Sequence, residues 1–302
     1  MRVLLIPLDY QRQNETDLLF GDLLRAFQKQ TNDTIIYDGS LQNAIDFNPD
    51  IIYFHGSMSV SELATLKQRT NAVITMWSGD ARWLPQQCLM DYKQVIDIYF
   101  LPFTGQDLIN HENIIGKKCC YIFEPFPDWA FENKTKENNG KIVFVGNVYE
   151  HLEGGYSRLK MVDFLSKHLP EFEVYGSINN SKGLISPFDV PKLYAESFMV
   201  IAENNITNID GYFTPRNILP MMVGTCVIMK EFKGAKNTFL DNVNCLMYNS
   251  NYELLDKINF CKLHHEFRNE IADKGNMLAN NNFRMDNFVS QYLFEINKWI
   301  KN

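Results

Sequence analysis

Short apolar runs alternate with amphipathic stretches along the first 125 residues. Val3 to Leu8 reads as a buried strand that begins at once, and Thr16 to Lys29 follows with Leu18, Leu19, Leu23, Leu24 and Phe27 at helical spacing. The pattern recurs: strand Thr34 to Tyr37, helix Leu41 to Phe47, then strand Ile51 to Phe54 behind the breaker Asn48-Pro49-Asp50. A helix around Ser61 to Lys67, a strand Ala72 to Met76, and apolar runs at Val95 to Phe100 and Cys119 to Phe123 complete this half. Short strands that do not alternate apolar with polar positions, separated by helices, indicate a parallel sheet covered on both faces.

Glu132 to Gly140, ENKTKENNG, has no apolar periodicity and is read as a domain linker. A second series then begins, with strands at Lys141 to Val145, Phe172 to Tyr175, Phe198 to Ala202, Cys226 to Met229 and Leu246 to Tyr248. Helices are expected at Arg158 to Leu169, Pro191 to Glu196, Asn217 to Met222, Tyr252 to Phe260 and His265 to Ala279. The last segment carries Phe288, Val289, Tyr292, Leu293, Ile296, Trp299 and Ile300 on one stripe, which needs a surface to cover it. The expected class is α/β with two domains: an N-terminal one over 1–132, a C-terminal one over 141–281, and a closing helix over 282–302 that packs back across the two. In open parallel sheets ligands bind beyond the carboxyl ends of the strands, so the loops after Leu8, Phe54, Met76, Val145, Tyr175 and Ala202 are where chemistry is sought.

Composition narrows the picture. The 302 residues are 45% hydrophobic and 22% charged, which excludes a disordered chain. The formal charge is -7. Residues 1–125 hold 10 basic and 15 acidic side chains, hence -5, so neither half supplies the broad positive field of a non-specific nucleic-acid binder. The cysteines Cys88, Cys119, Cys120, Cys226, Cys245 and Cys261 form no CxxC pair and sit mostly in apolar strings, as reduced buried thiols do. That usage, with an apolar N-terminal run too short for a signal peptide or a membrane span, gives a cytoplasmic expectation.

Three loops can carry chemistry. GNVYEHLEGGYSRLK follows Val145: Gly146 allows tight exit from a strand, Gly154-Gly155 another sharp approach, and Ser157 can cap a helix opening at Arg158. Amides at that helix start and the Arg158 guanidinium would bind phosphate together, unless the segment is an ordinary connector. It matches neither GxGxxG nor the Walker phosphate loop. In DGYFTPRNILP, Thr214 and Pro215 introduce a turn and set Arg216 at a helix start, a position that opposes the helix dipole unless the arginine serves an anion or a structural partner. In TMWSGDARWLP, Asp80 follows a strand as a base, a ligand for a polar group or a turn cap; Arg82 is a candidate partner, and Trp77 or Trp83 a packing face for a sugar ring. The six histidines form no metal or hydrolase pattern, and His55, after IIYF, is the best placed for a cleft. There is no DxD site, and no metal is assigned.

Taken in order, VFVGNVYEHLEGGYSRLKMVDFL, FEVYGS, VPKLYAES, DGYFTPRNILPMMVGTCVIM, YELLDKINF and FRNEIADKGN resemble the nucleotide-sugar-binding domain of GT-B glycosyltransferases. The likeness is to the spore-maturation-protein-like branch, from about Lys141 to Asn281. WSGDARWLP also resembles the segment of phage DNA β-glucosyltransferases that carries the catalytic aspartate, and Lys160-Met161-Val162 and Arg216 have counterparts there.

The resemblance implies two Rossmann-like domains facing across a cleft and a transferase that moves a sugar from a nucleotide-sugar, UDP-linked, to a hydroxyl acceptor. It implies Asp80 as catalytic base, and Gly146, Asn147, Arg158, Tyr175, Gly176, Thr214, Arg216 and Asn217 around the donor, with no prosthetic group and a divalent metal optional. The expected acceptor is a small molecule, glycan or protein, since the charge of the first domain disfavours nucleic acid; hydroxymethylated DNA and a non-catalytic nucleotide-sugar or glycan-binding module are the alternatives. One position departs from the pattern: the glutamate expected three residues after the arginine, which would hold the ribose, is Leu219.

Overall fold

Among the described residues eleven parallel strands form two sheets, as unbroken β-branched and aromatic runs joined by helical crossovers lead one to expect. The computed structural model describes residues 1–8, 13–79, 84–132, 138–149, 152–178 and 181–300. The chain divides into two units, Met1–Pro127 with Arg284–Asn302, and Asp128–Phe283.

In the first unit β1 (Arg2–Ile6), β2 (Asp33–Ile36), β3 (Ile51–Phe54), β4 (Val73–Trp77), β5 (Ile98–Leu101) and β6 (Lys118–Tyr121) lie in the order 2-1-3-4-5-6. The order reverses between β1 and β3, where the His55 amide donates to the Ile6 carbonyl at 2.9 Å and ends the ladder. Helices α1 (Gln13–Gln30), α2 (Leu41–Phe47), α3 (Val60–Thr70), α4 (Gln87–Asp91) and α5 (Gly105–Ile115) make the crossovers. Ser59 and Glu62 form a reciprocal capping box that starts α3, and Asn71 in the left-handed region ends it. Neither α4 nor α5 was expected: α5 reads GQDLINHENII, and with Ile109 and Ile114 exposed it buries only His111 and Ile115.

In the second unit β7 (Ile142–Val145), β8 (Phe172–Tyr175), β9 (Met199–Ala202), β10 (Val227–Lys230) and β11 (Leu246–Tyr248) run in the order 11-10-9-7-8. Here the order reverses between β7 and β9. Helices α6 (Glu153–His168), α7 (Val190–Glu196), α8 (Pro215–Met222), α9 (Asn251–Leu263) and α10 (His265–Asn282) flank the sheet. Successive residues of β7 serve opposite faces: Ile142 and Phe144 join Met161, Leu165, Leu254 and Ile258 in one core, while Val143 joins Val190, Tyr194, Val200 and Val223 in the other. Helix α6 begins at Glu153 and not at Arg158, so Gly154 and Gly155 lie in its first turn. The reason is packing: the Gly154 amide donates to the Asn205 carbonyl at 2.7 Å, and a Cβ on Gly154 would stand 2.7 Å from Asn205 Cα. Ser157, expected as the cap, is inside the helix and accepts a hydrogen bond from Lys230 Nζ.

The closing helix α11 (Met285–Ile300) belongs to the first unit and covers its sheet. Phe288, Val289, Tyr292 and Ile296 are fully buried, whereas Trp299, counted in the sequence stripe, is 41% exposed. Tyr292 is the anchor: its ring meets Phe27, Tyr53 and Phe100 with centroids 5.4, 5.5 and 4.7 Å away, and its hydroxyl lies 2.6 Å from the Thr75 hydroxyl. Thr75 donates onward to the Ile52 carbonyl at 3.1 Å, so a polar pair inside an apolar layer is satisfied from the strand beside it. No helix among the described residues is long and apolar enough to cross a membrane.

Tyr292→Phe deletes one buried hydrogen bond and is expected to lower stability by about 1 kcal/mol. Tyr292→Ala, which opens a cavity among three rings, should cost about 3–5 kcal/mol. Urea unfolding of both variants checks this; an alanine variant as stable as wild type would show that α11 does not close the first core.

Candidate functional site

The carboxyl end of the second sheet is built by close main-chain approach. Gly176 follows β8 with φ of +126°, and a Cβ there would overlap the Gly146 carbonyl oxygen, so no other residue fits the turn. The Gly146 amide donates to the Tyr175 carbonyl at 2.9 Å, and Asn147 Oδ1 accepts from the Ser177 amide at 2.9 Å. The loops after β7 and β8 are thereby locked together. Tyr175 itself turns its hydroxyl to Glu173 at 3.0 Å, and burial, then Glu173, pushes its pKa up.

Arg216 lies over this floor. It is the second residue of α8 and half-buried, and its Nε donates to the Val145 carbonyl at 3.0 Å. Gly146 makes room for it, since a Cβ at 146 would stand 3.1 Å from Arg216 Nε and 3.0 Å from the Phe144 ring. Among the described residues the terminal nitrogens of Arg216 make no hydrogen bond or ion pair. The helix start beneath it is fixed by Asn217, whose Oδ1 accepts from the Thr214 amide at 3.1 Å, and by the Thr214 hydroxyl, which donates to Asn204 Oδ1 at 2.9 Å. Thr214 and Asn217 are buried, and these bonds turn them toward the fold.

Arg158 has no exposed surface. Nη1 donates to the Asn147 carbonyl at 2.6 Å, Nε to the Glu203 carbonyl at 2.9 Å, and Nη2 to that same Glu203 oxygen. Burial, then the positive charge of Arg216, lowers its pKa to about 9, with Glu203 opposing. Sequence reasoning assigned this arginine to phosphate; the structure turns it to main-chain carbonyls.

The sequence reading missed a polar cluster at the ends of β9, β10 and β11. The buried Glu203 carboxylate accepts from Lys230 Nζ at 3.2 Å and from the Tyr248 hydroxyl at 3.0 Å. Burial, then Glu203, raises the Tyr248 pKa well above the ordinary phenol value. Each of the three stands at or just past the last residue of a strand, the one signal the sequence offered. Arg158, Arg216 and Lys230 gather at this sheet end around the buried Glu203, positive charge among the described side chains that suits an anion.

In the first unit, the corresponding sheet end holds His55, Ser57 and Trp77. Asp80, Arg82 and Trp83 lie outside the described residues. The His55 ring meets Trp77 edge-on at 4.7 Å, and burial depresses its pKa to about 4, so it is neutral at pH 7. Among the described residues no cluster of metal-ligating side chains occurs. The unfolded chain protonates this histidine at about pH 6.5, above the folded value, so the histidine's contribution to stability falls as pH drops from 6.5 to 4 and is spent below, where carboxylates held low in the fold, such as Glu62 and Glu231, take over the decline. His55 alone contributes on the order of 3 kcal/mol over that window. In urea melts at a series of pH values, His55→Gln should flatten the slope; an unchanged slope would rule the histidine out as its source.

Residues 158–293 match a family described as glycosyl transferase-like. No curated protein sequence matches the chain significantly. Among solved structures, the Anabaena protein HepE (Alr3699) in complex with UDP and glucose superposes with a TM-score of 0.67 at 13% identity, over 99% of this chain and 100% of that one. A glycosyltransferase from Rickettsia africae ESF-5 gives 0.67 at 15% identity, over 100% and 99%. The sucrose-phosphate synthase tll1590 of Thermosynechococcus elongatus gives 0.65 at 11%, over 100% and 99%. Together with the two parallel sheets and their flanking helices, this likeness gives the chain the GT-B fold of two Rossmann-like domains.

Proposed function

We propose that this protein is a glycosyltransferase that moves a sugar from a UDP-linked donor to a hydroxyl acceptor. The observation that carries the reading is Arg216, held by the Val145 carbonyl over a glycine floor at the switch point of the second sheet, with its terminal nitrogens uncommitted among the described residues. Open α/β sheets bind ligands there. The glycosyl transferase-like match over 158–293 and the UDP bound by HepE support the same donor class.

Departure of a nucleoside diphosphate develops negative charge on phosphate oxygens. Arg216 would take that charge in a charge-assisted pair, aided by the positive end of α8. Gly146, Asn147, Tyr175 and Gly176 would shape the floor beneath it, and Thr214 and Asn217 would set the helix start that aims it. Asp80 is proposed as the base that takes the acceptor proton, on its likeness to a catalytic segment. The acceptor is proposed to be a small molecule, glycan or protein hydroxyl, on the charge of -5 over residues 1–125. The spore-maturation-like branch is proposed only on the resemblance of the loop order from Lys141 to Asn281.

A panel of nucleotide-sugars, read by saturation-transfer NMR and by donor hydrolysis, tests the donor class; no binding by any UDP-sugar would sink it. Arg216→Ala should weaken UDP binding by about 30-fold, or roughly 2 kcal/mol, in a folded protein. Equal affinities would remove Arg216 from the site. Asp80→Asn should keep donor affinity and thermal stability while transfer at saturating substrates falls about 100-fold. Unchanged turnover would leave Asp80 a turn cap, since asparagine caps nearly as well.

A further inference from the structure

The two strands at the switch point of the second sheet part early. Their register runs Ile142 with Met199, Val143 with Val200 and Phe144 with Ile201, and the ladder between them ends there. Beyond that pair Arg158 spans the loops after β7 and β9, joining the Asn147 carbonyl on one side to the Glu203 carbonyl on the other. A side chain with no exposed surface offers a ligand nothing to touch. What it does touch leads to the donor site in one step: Asn147 follows Gly146, the floor under Arg216, and its side chain holds the turn at Ser177.

We propose that Arg158 is a positioning residue for the donor site, a brace that fixes the spacing of the β7 and β9 loops and thereby the seat of Arg216, without contacting the donor itself. This rests on the donor reading above. A planar fork suits the task, since one guanidinium satisfies carbonyls on two loops at once, which a lysine ammonium on a flexible stem does with less geometric control. Burying the cation is costly unless its donors are met, and the two carbonyls accept from three of its five N–H groups, one on each nitrogen. Lowering of the Arg158 pKa by burial and by Arg216 agrees with a charge held inside the floor rather than at its surface.

The test titrates the full-length protein with UDP as the probe, in wild type, Arg158→Met, Arg158→Lys, Arg216→Met and the double variant Arg158→Met/Arg216→Met. Thermal unfolding and hydrogen exchange without nucleotide accompany it. A brace acting through Arg216 predicts that Arg158→Met weakens UDP about ten-fold in the wild-type background but less than about two-fold once Arg216 is gone. Arg158→Lys, which keeps the charge and loses the fork, should resemble Arg158→Met in affinity, and it supplies the comparison if the methionine variant does not fold. Amides of 145–149 and 203–207 should exchange at least about ten-fold faster in the variant while those of α9 do not change.

Additive losses in the double variant would make Arg158 a direct phosphate ligand and overturn the proposal. So would full affinity in Arg158→Lys, which would assign its effect to charge alone, or a lowered melting temperature with unaltered affinity, which would leave a purely structural role. Wild-type protein that binds no UDP would overturn the donor reading and this proposal together. Intact UDP binding with unaltered loop exchange would overturn the brace alone.

Discussion

Two guanidinium groups stand within electrostatic reach of each other at the carboxyl end of β7, and Glu203, a carboxylate beside Arg158, is already held by Lys230 and Tyr248. Like charges in a partly desolvated setting repel, and each also bears a cost for leaving water. Arg158 offsets its cost with main-chain carbonyls, which carry dipoles but no charge. Among the described side chains an excess of positive charge therefore persists. An arrangement of this kind is destabilising taken alone, and it is relieved by a dianion. The rest of the second unit can be understood as the scaffold that keeps the excess in place.

Glycine is what makes that scaffold possible. Gly176 turns with positive φ against the Gly146 carbonyl, Gly146 leaves space for Arg216, and Gly154 lets the first turn of α6 meet the main chain of Asn204 and Asn205. Three loops that a side chain would hold apart are thus drawn onto one floor; Asn147, Thr214 and Asn217 meet some of the polar groups brought inside, while Asn204 Nδ2 and Asn205 Oδ1 are buried without a hydrogen-bond partner among the described residues. The first unit reaches a similar end by other means: its sheet is closed by α11, where Tyr292 and Thr75 satisfy each other under aromatic cover.

Much of this was legible in the sequence because the strands are continuous apolar runs with sharp ends. Ile51–Phe54, Phe172–Tyr175 and Leu246–Tyr248 can be read to the residue for that reason. Helix α5 was not legible, since two of its isoleucines face solvent and the apolar spacing that marks a helix is blurred. The start of α6 was displaced because two glycines look like a loop when the main chain that needs them, at Asn204 and Asn205, is fifty residues away. Position alone drew attention to Arg158 and Arg216 alike. Only the three-dimensional hydrogen-bond partners separate a side chain turned inward to carbonyls from one left over the floor. Glu203, Lys230 and Tyr248 escaped notice because no sequence spacing ties together the last residues of three different strands.

Leu219 shows how the same core limits the chemistry of the site. It is half-buried on α8 and packs against the cluster of Val143, Val190, Tyr194, Val200 and Val223, so it supplies hydrocarbon where the resemblance expects an acid. The substitution fits this chain's packing, and it removes the acid that the resemblance would place against a ribose. The acidic groups described at this sheet end do not replace it freely: Glu203 is buried under Lys230 and Tyr248, and Glu173 is tied to Tyr175, Lys141 and Lys182. On the proposed donor reading, recognition at this end of the second unit leans on positive charge and main-chain shape. A diphosphate supplies the charge that such a surface answers to, whereas the sugar hydroxyls beyond it depend on neutral hydrogen-bonding groups.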